Sequence, residues 1–549
     1  MRQWMVAAKK ADFYVIAEKF HVDPVVARII RNREVIGEKN IRIYLGGNLS
    51  DLSDPHQMKD MDRLVEILAQ KIRKQVHIRI IGDYDVDGVT SSHLFLTALR
   101  RVGAKVDVVI PHRIQDGYGL SLHLLQQAKE DGVDTILTCD NGIAAIDEIA
   151  WAKAQKMTVL VTDHHAVPFE EHEGRRTEKK SLADAVVNPH QQDCGYPYKE
   201  LCGAGVAWNV IRVLYENYDM DKREAEDLLD FVAMATVCDV MSLTGENRIL
   251  VKEGLKRIRH TKNIGLQALM QACNVQPENI SAYHFGYVLG PCVNATGRLD
   301  TARHALRLFE TGQETEAEEI ARDLVDLNQE RKELTLQGVE MAKKLCEEGG
   351  YENDPVLVLF LPDVHESIAG LIAGRIREMY NRPVFVLTRG EEGVKGSGRS
   401  TENYSMYENM CGCAELFTKF GGHPMAAGLS LLEENVEKFR RKINENCPLT
   451  VEEVCPDIHI DMAMPVGYAS TELVHQFALL EPFGKDNPSP LFADRNLSIS
   501  RMWVIGKNRN VLRMSVLSEY GQPVPVIFFG DVETLFAYFT EKFGQEEVE

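Results

Sequence analysis

Three aspartates alternate along the segment from Gly82 to Gly88, whose sequence is GDYDVDG. An apolar run typical of a strand precedes this segment, and alternate side chains of an extended chain point to the same side. Asp83, Asp85 and Asp87 can therefore converge on cations. Carboxylate oxygens suit Mg²⁺ or Mn²⁺, so the motif predicts a divalent metal site.

The same residues also match the DxDxDG pattern with which a calcium-binding EF-hand loop begins. An EF-hand requires a bidentate glutamate at the twelfth position of the loop, where this chain has Leu94. It also requires a preceding helix, whereas residues 77–82 have the apolar pattern of a strand. Both departures disfavour a calcium loop.

Acidic and imidazole groups recur after two further predicted strands. Residues 134–138 lead into Asp140, and residues 158–162 lead into His164 and His165. A single aspartate at such a position can equally cap a helix or close a turn. Because the carboxyl ends of parallel strands meet at one edge of a sheet, we expect all these groups at one site.

Asp239 is a further candidate because it lies in the apolar segment 231–243. A buried carboxylate needs a partner, and a metal ion supplies one. Two cations that share a carboxylate are a common device for phosphodiester hydrolysis. The residue types therefore predict a hydrolase with two Mn²⁺ or Mg²⁺ ions.

The elements that position these residues follow from the hydrophobic pattern. Short apolar runs at 77–82, 105–110, 134–138, 158–162 and 183–187 alternate with helical patterns at 89–102 and 144–156. This alternation predicts βαβ units and a parallel sheet. The charged residues 172–180 have no periodicity and predict a solvated loop.

Helical periodicity dominates residues 203–349, and residues 314–347 predict either one connecting helix or two shorter packed helices. A second α/β pattern has strands at 356–360 and 383–387, a helix at 368–380, and glycine-rich turns at 396–398 and 421–422. Short strands at 459–461, 497–505, 511–516 and 524–529 predict an OB-type β-barrel.

The composition limits the possible functions without selecting one. A net charge of −20 argues against nonspecific duplex binding through overall charge. The 11 cysteines include no CxxC pair, which predicts a reduced cytoplasmic protein without structural zinc. No apolar run is long enough to span a bilayer, and the first residues lack the apolar core of a secretory signal.

The segments DYDVDG, CDNG, DHH and TVCD, at 83–88, 139–142, 163–165 and 236–239, resemble the four motifs of the DHH phosphoesterase superfamily. GSGRS at 396–400 and GGHPMAAG at 421–428 are similar to the companion DHHA1 domain, whose elements hold substrate phosphates. Other stretches resemble the RecJ family in particular: PHR at 111–113, DGYG at 116–119, CGAG at 202–205, NATGR at 294–298 and EPFGKDNP at 481–488.

The resemblance covers about residues 75–530 and implies the following organisation. The expected fold is α/β, with a parallel-sheet DHH domain joined by a long helix to a smaller α/β DHHA1 domain, followed by an OB-type β-barrel. The expected regions are an N-terminal helical segment, the DHH domain, a helical region with the connector, the DHHA1 domain and the OB domain, at 1–74, 75–245, 246–349, 350–450 and 455–535.

The resemblance also implies roles for single residues. The implied catalytic metal ligands are Asp85, Asp87, Asp140, His164 and Asp239, with Asp140 as the bridge between the two ions. Asp83 is implied as a further metal ligand or as a group behind the ligands, and His165 as a catalytic residue that faces the substrate. The implied contacts to the terminal phosphate and its neighbours are Arg113, Ser397, Arg399, His423 and, less directly, Arg298.

The implied activity is metal-dependent hydrolysis of single-stranded DNA in the 5′→3′ direction to 5′-mononucleotides, in recombination and repair. In the OB region, Trp503 with Arg501, Lys507, Arg509 and Arg513 could line a single-strand groove or merely be a solvated strand face. Single-stranded DNA-binding protein and a helicase are the partners that the family implies.

Two alternatives differ in class. The first is a DHH phosphodiesterase for short RNA or cyclic dinucleotides, which the OB-like segment 455–529 disfavours because such enzymes generally lack it. The second is a catalytically inactive scaffold like the degenerate DHH relative in the eukaryotic replicative helicase. The intact acidic positions and both histidines disfavour that scaffold.

Overall fold

The computed structural model describes residues 4–113, 116–117, 119–172, 175–390, 393–453, 457–506 and 509–548. These residues divide into two compact units. The first unit contains residues 46–453 and 482–488, and the second contains residues 4–45, 457–481 and 489–548. Among the described residues, no helix combines the length and apolar character needed to cross a membrane.

The strands are numbered in chain order: β1 (Trp4–Val6), β2 (Ile78–Ile81), β3 (Val106–Val109), β4 (Thr135–Cys139), β5 (Thr158–Thr162), β6 (Phe169–His172), β7 (Arg175–Glu178), β8 (Ala185–Val187), β9 (Leu357–Phe360), β10 (Val384–Gly390), β11 (Gly393–Arg399), β12 (Phe417–Gly422), β13 (Ala426–Leu431), β14 (Ile458–Ile460), β15 (Met462–Ala463), β16 (Phe492–Ala493), β17 (Ser498–Ile505), β18 (Val511–Leu517) and β19 (Pro523–Phe529).

The helices are numbered in the same way: α1 (Phe13–Phe20), α2 (Pro24–Asn32), α3 (Glu38–Gly46), α4 (Met61–Arg73), α5 (Val86–Arg101), α6 (Leu122–Glu130), α7 (Ile146–Ala154), α8 (Gly203–Asn217), α9 (Arg223–Glu226), α10 (Leu229–Cys238), α11 (Gly245–Ile258), α12 (Ile264–Ala272), α13 (Ala282–His284), α14 (Gly290–Leu299), α15 (Ala302–Glu310), α16 (Glu314–Glu347), α17 (Ala369–Tyr380), α18 (Met406–Cys411), α19 (Val436–Glu445), α20 (Thr471–Phe477), α21 (Val532–Phe543) and α22 (Gln545–Val548).

A parallel five-stranded sheet in the order β3-β2-β4-β5-β8 forms the centre of the first unit. Ile80, Leu137 and Leu160 pack into one core with α4, α5, α8 and α10. Ile136 and Val159 face a second core with α6 and α7. Helices cover both faces, which explains why the central strands are continuous apolar runs. The predicted parallel sheet is confirmed.

Helix α16 connects this α/β region to the next. It is one helix over residues Glu314–Glu347, so the alternative of two shorter helices is wrong. Ala317 and Leu324 pack in the core of the first sheet, whereas Val339 and Ala342 pack in the core of the second. At ~1.5 Å per residue the helix is about 50 Å long, enough to reach both cores.

The second sheet has the order β12-β13-β11-β10-β9, with β9 and β10 parallel and the other pairs antiparallel. The glycine-rich stretches 396–398 and 421–422, predicted as turns, lie instead in strands β11 and β12. A Cβ on Gly398 would lie 2.7 Å from the Phe385 ring, and one on Gly396 would lie 3.0 Å from the Leu429 side chain. In β11 the glycines therefore allow close packing.

The charged stretch 172–180, predicted as a loop, includes β7 and the end of β6, which pair antiparallel as an isolated hairpin. The two strands pair with each other and consist mostly of charged residues, so no apolar run marks them in the sequence. Residues 173 and 174 of this stretch lie outside the described residues.

The second unit contains an antiparallel meander, β17-β18-β19, and two parallel pairs, β1-β14 and β15-β16. Asp461 joins its parts, since Arg33 forms two hydrogen bonds to the Asp461 carboxylate at 2.7 and 3.0 Å and the Leu491 amide donates a third at 3.1 Å. The N-terminal helices α1–α3 thus belong with the C-terminal strands. The domain boundaries given above remain predictions.

Candidate metal centre and phosphate pocket

The first aspartate motif lies between the end of β2 and the start of α5. Asp85 is the N-cap of α5, and its carboxylate accepts a hydrogen bond from the Gly88 amide at 3.0 Å. Asp87 is buried, and its carboxylate accepts from the Gly203 and Ala204 amides at 2.6 and 2.7 Å. These amides open helix α8, where a negative charge is favoured.

Asp83 is fully buried, and within the described part of the chain neither of its carboxylate oxygens has a well-formed hydrogen bond. Burial, followed by the charge of Asp85, raises the pKa of Asp83 well above its ordinary value. A carboxylate buried in this way is costly unless a proton or a cation offsets its charge. The position therefore favours a bound cation.

Asp140 follows β4 in a left-handed conformation, with φ of 61°. Its backbone is held close to α8, since a Cβ on Gly203 would lie 2.6 Å from the Asp140 Cβ. The Asn141 amide group donates to the carbonyls of Ile81 and Cys139 at 3.0 and 2.9 Å, which ties the ends of β2 and β4 together. Burial and the charge of Asp87 raise the pKa of Asp140 well above its ordinary value.

The two histidines follow β5, and Asp163 positions them. Its Oδ1 accepts from the His164 and His165 amides at 2.7 and 3.0 Å and from His165 Nδ1 at 2.8 Å. Its Oδ2 accepts from the Ile143 amide at 2.9 Å. Although burial opposes it, the hydrogen bond from His165 lowers the pKa of Asp163. This role of Asp163 was not predicted, although the residue opens the DHH segment.

Asp239 caps the C-terminal end of α10, and its side chain is 26% exposed. Its Oδ2 lies 3.6 Å from His164 Nε2, which also lies 3.1 Å from Asp140 Oδ1. Burial and the charge of Asp87 raise the pKa of Asp239 well above its ordinary value, and Lys485 opposes this shift. The apolar segment that signalled Asp239 is therefore a core helix that ends at the site.

Among the described residues, three groups of side chains could each hold a metal ion, with potential ligand atoms within 4.8 Å of one another. They are Asp83, Asp85 and Asp140; Asp87, His164 and Asp239; and Asp140, His164 and His165. Asp140 and His164 each belong to two groups. A cluster of mutually repelling carboxylates with imidazole nitrogen suits two Mn²⁺ or Mg²⁺ ions, so the residues present fit the predicted cofactor.

A cavity of about 540 Å³ in the same unit has a strongly cationic lining. Four of the predicted substrate-binding residues line it: Arg113, Arg298, Ser397 and Arg399. His423 does not line it, and its exposed position near the start of β13 is fixed by a bond from its amide to the Ala426 carbonyl at 2.8 Å. The structure thus brings together four of the five residues.

The arginines of this cavity crowd one another. Burial, followed by the charges of Arg113 and other arginines, lowers the pKa of Arg298 to about 10. Burial and neighbouring arginines also lower the pKa of Arg399. Arg298 donates to the Ser367 carbonyl at 2.6 Å, and Arg113 lies 4.7 Å from the centre of the Tyr84 ring. Crowded guanidinium groups of this kind suit a phosphate.

Helix α14 joins the cavity to the aspartate motif. Asn294 accepts a hydrogen bond from the Val86 amide at 3.2 Å, and Arg298 from the same helix lines the cavity. Tyr84 lies between Asp83 and Asp85 in sequence and also lines the cavity. Lys395 and Lys419 line it too. Sequence reasoning missed these two because they lie outside the motifs, and it missed Tyr84 because only the aspartates of the DYDVDG segment have side chains that bind cations.

Four of the residues predicted to line a single-strand groove, Arg501, Trp503, Arg509 and Arg513, lie on β17, on β18 or between these strands. Trp503 is 45% exposed and pairs across the sheet with Arg513. Arg501, Arg509 and Arg513 are exposed. Lys507 lies outside the described residues. An exposed aromatic ring among guanidinium groups is compatible with stacking on a base.

Comparison with known proteins gives three domain matches: residues 77–236 match the DHH family, N-terminal domain; residues 353–447 the DHHA1 domain; and residues 460–543 the RecJ OB domain. The single-stranded-DNA-specific exonuclease RecJ of Haemophilus influenzae is 34% identical over 518 residues, covering 91% of this chain and 88% of that protein. The RecJ of Bacillus subtilis is 33% identical over 511 residues, covering 92% of this chain. The match spans 63% of the length of the Bacillus protein.

Among solved structures, RecJ from Thermus thermophilus in complex with Mn²⁺ superposes with a TM-score of 0.81 at 27% identity, over 96% of this chain and 74% of that one. The Mg²⁺ complex of the same protein gives a TM-score of 0.74 at 26% identity, over 96% and 73%. The architecture predicted from sequence agrees with these folds.

Proposed function

The chain belongs to the RecJ family of single-stranded-DNA-specific exonucleases, and we propose that it releases 5′-mononucleotides from the 5′ end of single-stranded DNA in recombination and repair. The observation that supports this proposal best is that the cationic cavity and the metal cluster adjoin each other at Tyr84. Tyr84 lines the cationic cavity and stands between two aspartates of the metal cluster. A terminal phosphate held in the cavity would lie close to the hydrolytic centre.

Two Mn²⁺ or Mg²⁺ ions are the cofactor, and six residues would hold them: Asp83, Asp85, Asp87, Asp140, His164 and Asp239. Asp140 would bridge the ions, because it belongs to one all-carboxylate group and also lies against His164. When bound, two such ions favour deprotonation of the attacking water and offset charge on the phosphate.

The other residues orient the substrate. His165 donates its Nδ1 proton to Asp163, which fixes the orientation of its ring. Burial opposes the protonated form, but the bond to Asp163 prevails and raises the pKa of His165 to about 9. A protonated imidazole at neutral pH would donate to a phosphate oxygen.

Arg113, Arg298, Ser397 and Arg399 would bind the terminal 5′ phosphate, since they line one cavity with a net positive charge. His423 stays a predicted phosphate contact outside this lining. The 5′→3′ direction rests on the family and on this cavity, because a terminal phosphate monoester carries more charge than an internal phosphate and fits crowded guanidinium groups best.

The alternative of a phosphodiesterase for short RNA or cyclic dinucleotides is disfavoured by the match to the RecJ OB domain. An inactive scaffold is disfavoured because all the predicted acidic and imidazole groups come together. We also propose that the protein works in the cytoplasm, with single-stranded DNA-binding protein and a helicase as partners. Co-purification with tagged versions of those proteins would test the partners.

The decisive experiment uses the purified full chain with Mn²⁺ or Mg²⁺. Oligonucleotides labelled at either end, as single strands, duplexes and short RNAs, should show release of single nucleotides from the 5′ end of single-stranded DNA. Asp140→Ala, which removes the proposed bridge, is the negative control. Equal release from both ends would refute the direction, and preference for short RNA would favour the alternative.

A further inference from the structure

An exposed pair of stacked tyrosines lies on the segment that contacts the end of α10 and belongs to none of the three candidate metal-binding groups. Tyr283 and Tyr287 are 62% and 72% exposed. Their ring centroids are 5.1 Å apart and their planes differ by 21°. Isolated apolar residues are common on protein surfaces, but two large rings preorganised face to face present a flat surface on which a further ring can stack.

The backbone that carries the pair is unusual. Tyr283 lies in the short helix α13, and Tyr287 lies in the π-helical turn Phe285–Leu289 that leads into α14. Such wide turns are rare and often occur at functional sites. Both rings lie on the exposed side of this segment, whereas Phe285 and Leu289 are fully buried.

This turn is anchored directly to the residue before Asp239. The Cys238 thiol donates to the Phe285 carbonyl at 3.3 Å. Gly286 faces Val237, because a Cβ at Gly286 would lie 3.5 Å from the Val237 side chain. The tyrosines are therefore attached to the end of α10, where that helix presents its carboxylate to the metal cluster.

The positively charged side chain of Lys485 lies near Asp239. The exposed Lys485 is tied to the loop after α10, since the Leu243 amide donates to the Lys485 carbonyl at 2.9 Å. Its ammonium acts electrostatically on Asp239. An aromatic face and a cation next to a phosphodiester-cleaving centre are the two components of a single-strand track: the ring stacks on a base and the cation contacts the backbone.

We propose that Tyr283 and Tyr287 form a stacking platform for one nucleobase of the substrate strand next to the metal cluster, with Lys485 on the neighbouring phosphate. This inference rests on the proposed function, because it takes single-stranded DNA as the occupant. Attachment of the pair to the end of α10, which carries Asp239, favours the substrate strand over a protein partner. Stacking on a ring is tolerant of base identity, which suits an exonuclease that must accept every nucleotide in turn.

The test compares KM values for 5′-phosphorylated single strands in Mn²⁺, each carrying one abasic nucleotide at a successive position from the 5′ end. The wild type should show a raised KM at one or two positions only. The double variant Tyr283→Ala with Tyr287→Ala should show a KM about 10-fold higher for intact strands, the effect of losing one stacked base. In that variant the abasic nucleotide should add no further penalty, because the two changes remove the same contact.

Two controls separate stacking from a structural effect. Tyr283→Phe with Tyr287→Phe keeps both rings and should restore KM towards the wild-type value. Tyr14→Ala removes a comparably exposed tyrosine, 78% exposed in the second unit, and serves as the matched surface change. A thermal melt of each variant verifies folding.

The outcomes are distinguishable. If the wild type does not digest single-stranded DNA, the proposed function fails. If it does, but the alanine double variant keeps the wild-type KM, the platform is refuted and the surface is left for a protein partner. An abasic penalty that persists unchanged in the alanine double variant also refutes the platform, because the base then stacks elsewhere.

Discussion

Gly203→Ala tests whether the position of Asp140 depends on its close contact with helix α8. The new Cβ would lie 2.6 Å from the Asp140 Cβ and 3.0 Å from its Cα, whereas carbon atoms in contact are ~3.5–4.0 Å apart. One partner must therefore move by about 1 Å. Displacements of ~1 Å in a catalytic group cost about 10²-fold in rate, and overpacking costs ~1–3 kcal/mol in stability.

The kcat of the variant on a single-stranded oligonucleotide should thus fall about 100-fold, and its rate should depend less strongly on the Mn²⁺ concentration. The variant should nevertheless remain folded in a thermal melt. Gly205→Ala is the matched control in the same helical turn, because its Cβ would meet the Leu201 side chain at 3.4 Å and needs little rearrangement. Gly203→Ala with a kcat close to that of Gly205→Ala would refute the argument that this contact fixes Asp140.

Four further substitutions test other parts of the molecule. Asp140→Ala should abolish turnover in Mn²⁺ and in Mg²⁺ without changing the circular dichroism spectrum, and substantial residual turnover would rule it out as the bridge. Arg399→Ala should raise KM for 5′-phosphorylated strands more than for 5′-hydroxyl strands, and equal effects would contradict a terminal-phosphate contact. Trp503→Ala should weaken binding of long strands by ~1–3 kcal/mol in fluorescence anisotropy while sparing very short ones, if the ring stacks on a base. Burial raises the pKa of Asp230 from 3.8 to about 6, so the folded state retains a proton that the unfolded state loses, and stability falls as pH rises from about 4 through 6. Asp230→Asn should remove this loss and gain up to about 3 kcal/mol at pH 7.5, at ~1.4 kcal/mol per pKa unit; an unchanged melting temperature would argue against the shift.

The sequence predicted the parallel sheet and the place of its chemical groups because both are local features. Strands β2, β4 and β5 are short apolar runs, and Asp83, Asp140 and His164 follow them within two residues. Parallel pairing then brings them to one edge without further information. The assignment of these residues as metal ligands stays a prediction, which the Asp140 variant tests.

Other features could not be predicted because they depend on contacts far apart in sequence. The Asp87 carboxylate is fixed by hydrogen bonds from the backbone amides of Gly203 and Ala204. Every residue except proline has such an amide, so the side-chain types do not reveal these bonds. As a residue type, Gly398 suggests a turn, although it lies in strand β11. The Phe385 ring, which leaves no room for a Cβ at this position, belongs to another strand and cannot be recognised from the local sequence. The N-terminal helices pack with the C-terminal strands partly through hydrogen bonds from Arg33 and the Leu491 amide to Asp461, and no motif marks Asp461.

The links between the two sites explain how a chain of net charge −20 could hold a nucleic acid end. Three arginines and two lysines line one cavity, and α14 connects this cavity to the acidic cluster, because Asn294 accepts from the Val86 amide and Arg298 lines the cavity. Because one helix carries both contacts, a shift of α14 would move Arg298 and the contact to the aspartate motif together. A fixed separation between a terminal-phosphate site and a hydrolytic centre would set the length of the released product, which is the property that a mononucleotide-releasing exonuclease requires.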